Sequence, residues 1–135
     1  MSAAVPDRAF RLLVGLLALA FLVSVVHYAD NTINYADYPV ATSGLNPSRT
    51  VIALSWFVFT AFGVAGLVLY VLGRLRPAGA CLAVYALSGL VGLGHYTVPG
   101  ATAMPWWRQT HVVADILCGI AILAFAAWSV NRAHA

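Results

Sequence analysis

The stretch Val51–Val98, VIALSWFVFTAFGVAGLVLYVLGRLRPAGACLAVYALSGLVGLGHYTV, holds two apolar runs, Val51–Gly73 and Ala78–Val98, split by Arg74-Leu75-Arg76-Pro77. Each run is close to the roughly 20 residues a helix needs to cross hydrocarbon. A link of four residues leaves the second helix no course but back alongside the first. Working outward, Ala9–Ala29 precedes this pair and Thr110–Val130 follows it. The pattern predicts an all-α membrane protein, a four-transmembrane-helix up-down bundle. Pro6, Pro39, Pro47, Pro77, Pro99 and Pro105 all fall outside the runs or at their edges, where they punctuate helices rather than break them.

With 135 residues, four spans and short connections use almost the whole chain, so residues 1–135 read as a single polytopic domain. Charged residues make up 8% and mean hydropathy is +0.88. An ordinary soluble domain carries roughly a quarter charged residues, so a water-facing surface all round is excluded. The net charge of +3 comes from arginines scattered at loop ends, not grouped in a stripe as nucleic acid would require. Gly89-Leu90-Val91-Gly92-Leu93-Gly94 lies inside an apolar run and is no phosphate loop. The first run starts basic, at Arg8 and Arg11, but no small-x-small cleavage site follows, so it is expected to be retained.

Arg8, Arg11, Arg74, Arg76 and Arg132 fall at one end of such a bundle, Arg49 and Arg108 at the other. That asymmetry predicts cytoplasmic N and C termini, in what is expected to be a bacterial plasma membrane. Trp56, Trp106 and Trp107 at the far end, with Tyr70 and Trp128 at the near end, suit interfacial belts. Cys81 and Cys118 lie at different depths, too far apart for a disulfide. Small residues invite close helix contact at Ser88, Gly92 and His95, at Gly89 and Tyr96, and at Ala61 and Ala65.

The chemistry gathers at the outward end. His27, Asp30, Asn31 and Asn34 close the first run; His95 and Tyr96 close the third; His111 and Asp115 open the fourth. Ionisable groups near hydrocarbon are costly, so they face a bundle interior or a wet cavity. His27, His95 and Asp115 share a depth, and His111 and Asp115, four residues apart, share a helix face. At a helix N-terminus the dipole favours a carboxylate and a neutral imidazole. The echo His27-Tyr28-Ala29-Asp30 and Asn34-Tyr35-Ala36-Asp37 predicts that the first helix runs on to about residue 38. Helix two brings only Ser55 and Trp56 near this end and reads as a sidewall.

Four functions fit. The foremost is a non-catalytic subunit or interaction protein of a membrane assembly, its His/Asp/Tyr network a hydrogen-bonded lid and Trp106-Trp107-Arg108 an exposed loop. Its partners would be the lipid bilayer and a membrane protein or second copy of the chain. Another is a metal site (Zn, Fe or Cu) held by His27, His95, His111, Asp115 and Asp30, with a metal-dependent hydrolase of a lipid-phase substrate as its extension. A b-type haem clamped by His27 with His95 or His111 is a third. Acid–base chemistry on a lipid or quinone is the fourth.

Overall fold

A computed structural model describes residues 7–42 and 46–132. The described residues form helices and the segments that join them, with no strand. α1 (Arg8–Ile33), α2 (Arg49–Val71), α3 (Leu75–Leu90) and α4 (Trp106–Arg132) are joined by short connections. All four helices are long and apolar enough to cross a membrane, α3 once its 3₁₀ extension to Thr97 is included. His134 lies outside the described residues.

Side-chain caps fix where α1 and α2 begin. The Asp7 carboxylate accepts the Phe10 backbone N–H at 2.6 Å to start α1, and the Ser48 hydroxyl accepts that of Val51 at 3.3 Å to start α2. Helix α1 does not continue to residue 38. It ends at Ile33, Asn34 caps it, and Tyr35–Asp37 form one 3₁₀ turn. Asparagine competes with the helix by bonding locally, and here the Asn34 amide donates to the Asp30 carboxylate at 2.7 Å.

The α2–α3 link is tighter than four residues. Gly73 takes φ +72°, its N–H bonds the Tyr70 carbonyl at 3.0 Å, and Arg74 N–H bonds that of Leu69 at 2.9 Å. This is the glycine-ended helix stop that satisfies otherwise orphaned carbonyls. Leu75, Arg76 and Pro77 already belong to the first turn of α3, where a missing proline N–H costs nothing.

Helix α3 changes winding before its end. From Val91 to Thr97 it is a 3₁₀ helix, an unusually long run for that geometry. Gly92 and Gly94 lie within it, and glycine holds α-helical conformation weakly. At three residues per turn Gly92 and His95 stack on one face. Tyr96 is left outside the bundle, more than a third exposed.

Packing is closest where glycines meet backbone. A methyl group on Gly89 would run into the Asp115 carbonyl, and one on Gly119 would lie 2.7 Å from the Ala86 carbonyl. Such contact replaces the hydrophobic drive that lipid does not supply, and it locks the depth of Asp115 against α3. Helix α2 packs on α3 through Gly63, against the Tyr85 ring, and Gly66, against Leu82. The Ala61/Ala65 pairing expected from spacing is not used; Ala61 is exposed. Leu13, Leu82, Tyr85, Ile122 and Phe125 fill the core toward the other end, and Cys81 and Cys118 are free thiols.

Candidate functional site

The five residues singled out for a metal come to one end of the bundle, but they divide into two groups. In the inner group, His27 of α1 points its Nδ1 at the Asp115 carboxylate of α4, 2.7 Å away. Its Nε2 faces the Nε2 of His95, at the 3₁₀ end of α3, at 3.4 Å. Asn31, one turn beyond His27, places its amide nitrogen 3.3 Å from the same His95 atom. His27 and Asp115 are almost wholly buried. Gly92 packs beside the His27 ring: a methyl group there would be in ordinary contact with His27 Cε1 at 3.5 Å and press more tightly on Ile116, at 3.2 Å.

In the outer group, Asp30 accepts from four donors. These are Asn34 Nδ2 at 2.7 Å, Tyr38 hydroxyl at 2.6 Å, and Arg108 Nε and Nη2 at 2.8 and 3.4 Å. Arg108 also reaches Asp37 at 3.4 Å, and its guanidinium lies between the Tyr38 and Trp107 rings, 4.8 and 4.9 Å from their centroids. Burial first, then the hydrogen bond to Asp30, push the Tyr38 phenol well above the usual tyrosine range. Met104, Val112, Ile116 and Ala101 close round Tyr38 and shut this end of the bundle.

His111 stands between the groups. Its ring is 5.5 Å from that of His27, and its Nε2 is 3.3 Å from Asp30 Oδ2, without hydrogen-bond alignment. Both its ring nitrogens are buried with no hydrogen-bond partner among the described residues.

Among the described residues no three His, Cys, Asp or Glu side chains are arranged to hold a metal ion. The reason is local. Asp30 has its lone pairs filled by Arg108, Tyr38 and Asn34, and Asp115 is taken by His27. The metal reading therefore lacks support.

Arg108 is the functional residue that sequence reasoning misplaced. Trp106-Trp107-Arg108 is no loop but the first turn of α4, and Arg108 is only 4% exposed. Its signal was present: Arg108, His111 and Asp115 recur at three- and four-residue spacing, one helix face. Tyr38 and Asn31 were visible as polar residues near the site, though not as partners of Asp30 and His95.

A cleft of about 460 Å³ opens beside the inner group, between the end of α1, the segment after it, the start of α2 and the 3₁₀ end of α3. His27, Asn31 and His95 line one side; Val51, Ile52 and Phe59 line another. Helix two is thus a wall of the cleft, as its sequence suggests. Pockets for small molecules are of this size and balance, apolar with a few convergent polar groups. No known protein family, curated protein or solved structure matches the chain.

Proposed function

We propose that the chain is an integral membrane protein that holds a lipid-phase molecule in this cleft and exchanges a proton with it. The observation that carries the reading is the line Asp115–His27–His95, buried at its carboxylate end and reaching the cleft at His95.

The proton inventory of that line supports acid–base work. The Asp115 carboxylate accepts, so His27 carries a proton on Nδ1. Two facing Nε2 atoms bond only if one bears a proton. In the neutral line His95 bears it, donates to His27, and presents a bare Nδ1. A proton arriving at His95 Nδ1 lets the Nε2 proton pass to His27, so positive charge comes to rest beside Asp115. A carboxylate orienting an imidazole and stabilising its cation is the arrangement general bases use.

The arginine distribution supports cytoplasmic termini more strongly once Arg108 is seen to be neutralised by Asp30 and Asp37. The cleft then opens in the outer leaflet. The subunit reading keeps one observation in its favour: the Asp30–Arg108–Tyr38 network is fully satisfied and acts as a structural lid. It leaves the cleft and the His27–His95 contact unexplained.

The test is organic extraction of protein purified in mild detergent, with mass spectrometry of what is released. Wild-type protein should carry a lipophile near one per chain. Val51→Trp, which plugs the rim of the cleft from a half-exposed position, should lose it. Equal recovery from both proteins would refute the reading.

A further inference from the structure

We infer that the ligand's polar group is an acidic hydroxyl, that of a lipid-soluble phenol. This rests on the proposed cleft and its proton-exchanging line. Three observations lead to it.

First, among the described residues no Asp, Glu, Lys or Arg lines the cleft. Asp30, Asp37, Asp115 and Arg108 engage one another or a histidine behind its wall. Beyond Arg49, which lies over the ring of the lining residue Tyr35 at 5.9 Å, a carboxylate, phosphate or ammonium head would find no counter-charge in the walls, an unfavourable transfer. The head is therefore uncharged on entry.

Second, the His95–Asn31 part of the wall offers both a donor and an acceptor whichever way its protons sit. Beyond the contacts among His27, His95 and Asn31, neither His95 Nδ1 nor the Asn31 amide has a hydrogen bond to another described residue. With the line neutral, His95 Nδ1 is an acceptor and the Asn31 NH₂ is free to donate. With an extra proton, His27 Nε2–H donates to His95 Nε2, leaving His95 Nδ1–H as donor and the Asn31 amide oxygen as acceptor. A hydroxyl, which gives one hydrogen bond and takes another, complements both states. An ether or a ketone, which only accepts, leaves one group unpaired, and an unpaired buried polar group is costly.

Third, the proton must be transferable. A phenol ionises near pKa 10, far more readily than an aliphatic hydroxyl. A hydroxyl as weakly acidic as water, near 15.7, lies out of reach. The step balances within the site. The phenol O–H bond breaks and its proton joins His95 Nδ1. The Nε2 proton passes to His27, and the phenolate oxygen keeps the electron pair, held by His95 Nδ1–H.

The experiment uses full-length protein in lipid nanodiscs with 4-nonylphenol, its methyl ether 4-nonylanisole, and decanoate, with binding followed by tryptophan fluorescence and ultraviolet difference spectra. The phenol should bind at least tenfold more tightly than the ether, and decanoate should be weakest. Bound phenol should show phenolate absorption that Asp115→Asn removes. In Asn31→Leu the preference for phenol over ether should shrink severalfold, so the inference stays testable if the aspartate variant does not fold. Equal affinity for phenol and ether, or tighter binding of decanoate, would overturn the hydroxyl assignment while leaving the cleft a ligand site. Failure of both neutral probes to bind would overturn the cleft reading and this inference together.

Discussion

Asp30 and Asp115 are both buried or nearly so, yet their neighbours give them different work. Asp30 neutralises Arg108, and removing either partner strands the other charge. Arg108→Ala should therefore lower stability by about 3 kcal/mol, within the range for breaking a buried pair, as read by denaturant titration in detergent. Arg108→Lys should restore only part of it, because a lysine cannot lie flat between Tyr38 and Trp107. Tyr38 adds a pH dependence. Its phenol is held up relative to the unfolded chain, so its contribution is fully present below about pH 10, the ordinary tyrosine value. It is lost as pH rises beyond that. Tyr38→Phe should flatten the fall in melting temperature on the alkaline side. Which residues would share a depth was legible from sequence, since depth follows from counting along each run. Which would touch was not, because that depends on how far each helix is rotated and on a change of winding that counting assumes away.

The glycine contacts of α3 set that rotation. Gly89 lies against the backbone of Asp115, so it governs where the carboxylate sits as well as how closely α3 and α4 pack. Gly89→Ala should cost about 1–3 kcal/mol through overpacking. It should also shift the His27 ring nitrogen signals in ¹⁵N spectra, because Asp115 is pushed out of register. Gly73→Ala, at a positive φ with open space around it, should cost only about 1 kcal/mol through backbone strain and leave those signals in place. The comparison separates damage to the fold from damage to the site. The apolar runs made all four helices readable in advance. The 3₁₀ end of α3 was not, although Gly92 and Gly94 stand in its sequence, since glycine is common in membrane helices for packing reasons alone. Its winding is what stacks Gly92 with His95 and so brings the His95 imidazole to face that of His27.

For the molecule as a whole, polarity is arranged by end. One end carries the two groups and the cleft; the other is packed with Leu13, Leu82, Ile122 and Phe125. With the termini in the cytoplasm, a cysteine at the exposed loop position Thr102 should react with an impermeant maleimide in intact cells. One at Arg74 should react only after lysis. The reverse pattern would place the cleft on the cytoplasmic side. Gly73 carries one more consequence, for how the chain is made. The stop it imposes leaves no slack between α2 and α3, so the two helices are tied as one hairpin. Asp115 lies on α4, the last helix in chain order, so a chain emerging N-terminus first has made His27, Asn31 and His95 before the carboxylate that His27 bonds.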